Sequence, residues 1–221
     1  MSFTKKLSLE HVVRPARSGS GRPPVLLLLH GYGSNEEDLF SFAPALDKRY
    51  LIVSARAPLP LGPNGYAWYN IAYREDGKKF KNDKSAISSR DLIVTFIDEV
   101  VELYGGDPNR VSLMGFSQGA ILSYAVALSF PRKIQNVVAM SGYIDQDLLR
   151  PDYAKGDFLK LSFYCSHGEV DEVVPVQWGR KTKPFLDKLK IENTYSEFPV
   201  GHGVSPENFE EIKEWLTLKV G

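Results

Sequence analysis

Short apolar runs recur along this chain, each followed by a segment of different period, and that alternation constrains the fold more than any other feature of its 221 residues. Val25-Leu26-Leu27-Leu28-Leu29 has no polar member, so it reads as a strand covered on both faces. Similar runs stand at 51–53, 111–114, 137–140 and 161–165, with a final strand around 194–198. Between them the spacing turns helical. Ile93, Phe96, Ile97, Val100, Val101 and Tyr104 form one helix face, which stops at Gly105-Gly106 with Pro108 just beyond. A second helix is expected over 118–130. A third, over 176–190, carries Gly179 and Pro184, which should weaken or kink it. The last begins at Ser205-Pro206-Glu207, an N-cap, an N1 proline and a first-turn acid, and turns Phe209, Ile212 and Leu216 inward.

Strands alternating with helices require parallel crossovers, hence an α/β fold with an open, mostly parallel central sheet and helices on both faces. The segment 7–13 reads as a half-buried antiparallel edge strand. No repeat, low-complexity tract or linker divides the chain, so one domain over 1–221 is expected. The one long irregular stretch is 58–85, where Tyr66, Trp68, Tyr69 and Tyr73 argue for order and a functional role. Lys plus Arg and Asp plus Glu both total 27, which argues against nucleic acid or anionic membrane as a partner. The single cysteine, Cys165, forms no internal disulfide and suits a reducing compartment. The first eleven residues lack the apolar core of a secretory leader, and no apolar run reaches 18 residues. A cytoplasmic protein without stable membrane insertion is expected.

Gly115-Phe116-Ser117-Gln118-Gly119 matches the G-x-S-x-G nucleophile elbow. The pattern alone arises by chance in roughly one chain of this length in ten. Here it follows a strand and opens a helix, the setting the motif needs. A serine hydroxyl is a poor nucleophile until a base takes its proton. In this architecture the order is serine, then acid, then histidine, which removes His11 and His30. His167 leaves too little chain after Ser117 for the next strand and the acid. His202, in Gly201-His202-Gly203 between the last strand and the last helix, is the base. Asp171 is the expected acid, presented at the crest of the turn after Gly168, with Glu169 and Glu172 facing water. Asp145, after the neighbouring strand, stands as the second candidate. An oxyanion needs two backbone donors. Gln118 supplies one, and Tyr32, in His30-Gly31-Tyr32-Gly33-Ser34-Asn35, supplies the other.

Together these stretches, with Arg56-Ala57-Pro58, 167–175 and Gly201-His202-Gly203-Val204-Ser205-Pro206-Glu207, make the chain resemble the phospholipase/carboxylesterase family of α/β-hydrolases. That family includes acyl-protein thioesterases and small bacterial carboxylesterases. The resemblance implies a serine esterase with Ser117 as nucleophile, Asp171 as orienting acid, His202 as base, Tyr32 and Gln118 at the oxyanion hole, and no metal or organic cofactor. It also allows a homodimer. The loop 59–85 departs from the thioesterase pattern, and Tyr32-Gly33-Ser34-Asn35 is closer to the bacterial esterases. Only 142–160 is available for a cap, too little for a packed domain, so an open cleft partly roofed by 58–85 is expected. Trp68 reads either as an acyl-pocket wall or as a loop anchor, and Tyr143 and Val174 as further pocket residues. An uncapped cleft excludes water poorly and favours short- to medium-chain esters, that is, small-molecule ester or thioester substrates. Acyl-protein thioesterase or lysophospholipase is the alternative activity. A non-catalytic ligand-binding relative is the alternative of another class.

Overall fold

Residues 7–17, 21–73, 79–81 and 83–220 are described in this computed structural model. Residues 1–6, on which most of the leader argument falls, lie outside the description. So do residues 74–78 and 82 of the long connection and the side chain of Tyr73. Seven strands form the main sheet: β1 (His11–Arg14), β2 (Val25–Leu29), β3 (Leu51–Ala55), β4 (Val111–Phe116), β5 (Asn136–Met140), β6 (Ser162–Gly168) and β7 (Glu192–Phe198). Their spatial order is β1-β3-β2-β4-β5-β6-β7. Edge strand β1 pairs antiparallel with β3, His11 opposite Ala55, and the other pairings are parallel. Parallel neighbours need crossovers. The longer ones run through helices α1 (Asp83–Tyr104), α2 (Gln118–Ser129) and α3 (Thr182–Lys188), and a last helix, α4 (Pro206–Lys219), follows β7.

Burial on both faces explains the unbroken apolar runs. Val25, Leu27 and Leu29 of β2 join a cluster with Phe96 and Val100 of α1 and much of α2. Leu26 and Leu28 point the other way, into a cluster with Leu39, Ile212 and Leu216. Each of these five side chains is at most 1% exposed, and each contributes about 1.5–3 kcal/mol. Helix α2 packs on β4, β5 and α1 and is buried at every position, so it shows no polar stripe. The α4 cap is as read: the Ser205 hydroxyl accepts from the Asn208 N–H at 3.2 Å, with Pro206 at the first turn. Among the described residues no helix is long and apolar enough to cross a membrane.

Three boundaries differ from the sequence reading. Strand β6 runs to Gly168, so His167 lies inside the strand rather than after it. The segment 176–190 is broken, not merely kinked: a helical turn, Val176–Gly179, precedes α3. Gly179 lies so close to the His167 ring that a Cβ there would run into Nδ1. The stretch 58–85 is less irregular than expected. It folds as two hairpins, Leu59–Gly62 with Gly65–Ala67 and Ile71–Tyr73 with Lys79–Lys81, and α1 starts as early as Asp83.

Candidate active site

Strand β4 delivers the chain into a turn that forces one residue out of ordinary backbone space. Ser117 has φ 53° and ψ −116°, a conformation that costs a side-chain-bearing residue about 1–3 kcal/mol. The surroundings over-determine it. The Ser117 N–H donates to the Met140 carbonyl at 2.9 Å, and the Ser117 carbonyl accepts from Ile121 at 3.0 Å. A Cβ on Gly119 would collide with the Leu29 carbonyl, so only glycine lets α2 settle this close to β2. The hydroxyl therefore stands at the N-terminus of a buried helix, where the dipole favours negative charge.

Two loops, one after β6 and one after β7, meet that hydroxyl. His202 Nε2 lies 3.0 Å from Ser117 Oγ, and His202 Nδ1 lies 2.7 Å from Asp171 Oδ2. The Phe116 ring packs on the imidazole, centroids 4.8 Å apart. Asp171 lies in the loop after β6. Its side chain is wholly buried, and its Oδ1 accepts from the Val173 and Val174 amides at 2.9 and 2.8 Å. Those two bonds fold the loop over the carboxylate and leave Oδ2 for the histidine. Glu169 and Glu172 face solvent. The Asp145 carboxylate lines the cleft but caps the turn Gln146–Leu148, accepting from the Asp147 N–H at 3.2 Å.

The Gln118 amide is the first of α2 and has no carbonyl one turn back to receive it. Its side chain, which the sequence reading did not use, bridges the long loop to the elbow. Oε1 accepts from the Trp68 N–H at 3.0 Å, and Nε2 donates to the Tyr69 carbonyl at 2.8 Å. The Tyr32 amide is held through its own peptide plane. His30 Nδ1 donates to the Gly31 carbonyl at 2.7 Å, while His30 Nε2 accepts from the Ala57 N–H at 3.1 Å. The Gly31 carbonyl and the Tyr32 N–H belong to one planar trans unit, so fixing the carbonyl fixes the amide on the opposite side. Gly33 N–H to Tyr66 O (2.9 Å) and Tyr66 N–H to Ser34 O (2.8 Å) tie the same loop to the first hairpin.

This bonding makes His30 a neutral Nδ1–H tautomer, and burial lowers its pKa from the ordinary 6.5. Between the two pKa values the unfolded chain binds the extra proton, so stability falls as pH drops below about 6.5. Thermal denaturation at pH 7.5 and pH 5.5 should show a Tm loss that is smaller in His30→Gln. An equal loss in both proteins contradicts this account.

The cleft encloses about 780 Å³ between these loops. Tyr143 and Val174 line it, beside Tyr32, Ser117, Gln118 and His202. Trp68 does not, which corrects the acyl-wall reading. It is fully buried and donates its indole N–H to the His30 carbonyl at 2.9 Å, so it anchors the loop to the β2 end. Among the described residues of 58–85, Tyr69 and Ile71 reach the cleft. Trp178 was missed: it sits after the acid loop and packs edge-on against Tyr143, centroids 5.0 Å apart. Its signal in the sequence was a large aromatic just after Pro175, directly following the acid loop.

Known proteins share the sequence pattern and the fold of this chain. The sequence profile of the phospholipase/carboxylesterase family matches residues 11–220. The acyl-protein thioesterase 1 of Kluyveromyces lactis is 27% identical, over 94% of this chain and 96% of that protein. That of Saccharomyces cerevisiae is also 27% identical, over 92% and 93%. The carboxylesterase structure from Bacillus cereus superposes with a TM-score of 0.80 at 22% identity, covering 96% of this chain and 94% of that one. The one from Mesorhizobium loti gives 0.80 at 20%, covering 98% of each. At those identities the structures speak for a shared fold.

Proposed function

The chain belongs to the phospholipase/carboxylesterase family of α/β-hydrolases, and we propose that within it this protein is a serine carboxylesterase for short- to medium-chain carboxylic esters. Ester or thioester hydrolysis is the family's chemistry. The observation that carries the finer reading is the unbroken contact from Asp171 through His202 to a serine on a strained elbow.

The cycle follows from those contacts. His202 Nε2 takes the Ser117 proton as Oγ attacks the carbonyl carbon. The Tyr32 and Gln118 amides receive the oxyanion. Asp171 keeps the proton of His202 on Nδ1 and stabilises the imidazolium that forms. The imidazolium then protonates the leaving alcohol or thiol. Water, deprotonated by the same histidine, attacks the acyl-enzyme and releases the acid. Burial drives the Cys165 thiol up to about 12, so the one cysteine offers no rival thiolate. The open cleft, with Tyr69, Ile71, Ile121, Tyr143, Val174 and Trp178 as its apolar wall, suits an acyl chain of modest length.

Acyl-protein thioesterase activity is the second reading, favoured by the names of the fungal relatives. A panel of nitrophenyl esters and matched thioesters of increasing acyl length separates the two, with kcat/KM expected to peak at short to medium oxygen esters. A peak on long-chain thioesters selects the second reading. A fluorophosphonate that fails to label Ser117 stoichiometrically rejects both and favours a ligand-binding relative.

A further inference from the structure

A second buried histidine touches the acid loop, and the cycle above makes no use of it. The side chains of His167 and Asp171 are both wholly buried, with His167 Nε2 3.5 Å from Asp171 Oδ2. The same Nε2 lies 2.8 Å from the Val174 carbonyl. Val174 is the residue whose N–H, with that of Val173, grips Asp171 Oδ1. His167 Nδ1 has no hydrogen-bond partner among the described residues and is sealed under Gly179. A proton on Nδ1 would face no acceptor, and a buried unpaired donor costs about 1–3 kcal/mol. The geometry therefore puts a hydrogen on Nε2, aimed at the Val174 carbonyl and the rim of the Asp171 carboxylate.

We propose that His167 is a positioning residue for the acid: its Nε2–H ties down Val174, so that the Asp171 loop closes with Oδ2 directed at His202. The place of the ring is built for this. Inside β6 it is held by the sheet rather than by the loop it restrains. Gly168, next in sequence, lets the acid loop lie directly against the Val200 and Gly201 carbonyls of the base loop, an approach any Cβ would block. Glu169 N–H to Phe198 O (2.8 Å) and Val170 N–H to Val200 O (3.3 Å) fasten the two loops together. The inference rests on the proposed roles of Asp171 and His202.

Three substitutions test it. His167→Phe fills the space without the N–H. His167→Gln carries an N–H at about the same reach, and His167→Asn carries one that falls short. A misplacement of about 1 Å at the reacting groups costs on the order of 100-fold. We expect kcat to fall about 10- to 100-fold in the Phe and Asn variants with KM within about threefold, and Gln to restore most of it. The downfield proton resonance of the His202–Asp171 bond should weaken in Phe and Asn and persist in Gln. If Phe does not fold, the Gln against Asn comparison decides alone. Equal kcat in Gln and Asn with an unchanged resonance overturns the proposal. Ser117→Ala runs alongside: an active Ser117→Ala enzyme would sink the esterase reading itself, whereas an inactive one beside a fully active His167→Asn sinks only this inference.

Discussion

Ser117→Ala should lower kcat on a short-chain nitrophenyl ester by about four to six powers of ten, leaving a folded protein. The size follows from what is lost. Oγ is the atom that becomes the acyl ester, and His202 Nε2, 3.0 Å away, then has no proton to take. The buried thiol of Cys165 cannot stand in. The oxyanion amides survive the substitution, which is why a rate somewhat above that in water should remain. Ser117→Gly separates chemistry from folding. Glycine adopts the φ of 53° without penalty, so this variant should be equally inactive and more stable than wild type. A gain of about 1 kcal/mol corresponds to about 2–4 °C in Tm for a domain of this size. Near-native turnover in either variant would remove Ser117 from the mechanism, and a Tm drop in Ser117→Gly would show that the elbow stores no strain.

The sequence made the sheet legible because burial on both faces leaves strands with no polar residue at all. Val25–Leu29 is the clearest case: its alternate side chains enter two separate clusters, so no alternation was there to mislead. The elbow was legible for a related reason. Glycines at 115 and 119 are demanded by backbone contacts that no other residue survives. What escaped notice depends on which way a side chain turns. An indole on a cleft-side loop looks the same in sequence whether it lines the cavity or, as with Trp68, hydrogen-bonds inward to the His30 carbonyl. The hairpins within 58–85 were hidden because they are short, three or four residues a strand, below the length at which period-two patterning shows. Gly179 was legible as a weak point of 176–190 but not as a full break, because the ring that forbids a Cβ there comes from His167, twelve positions earlier in the chain.

The choice of acid leads to the second large effect. Asp171→Asn should cost about four powers of ten in kcat, and Asp145→Asn no more than a few-fold. The asymmetry comes from hydrogen-bond polarity. In the native site Asp171 Oδ1 is committed to the Val173 and Val174 amides, and Oδ2 accepts from His202 Nδ1 at 2.7 Å. An asparagine keeps its oxygen on the two amides, because they can only donate, and so must present its NH₂ to the histidine. Two donors cannot share that bond, so the ring moves its proton to Nε2, the nitrogen that faces Ser117. A protonated Nε2 is unable to accept the serine proton, and the base is lost although the loop keeps its shape. At 145 the carboxylate oxygen caps a short turn by accepting from the Asp147 N–H, a task an asparagine oxygen performs about as well. Parallel measurement of kcat and Tm for the two variants decides the matter: a larger kcat loss at 145 than at 171, with both proteins folded, would move the acid to the neighbouring strand.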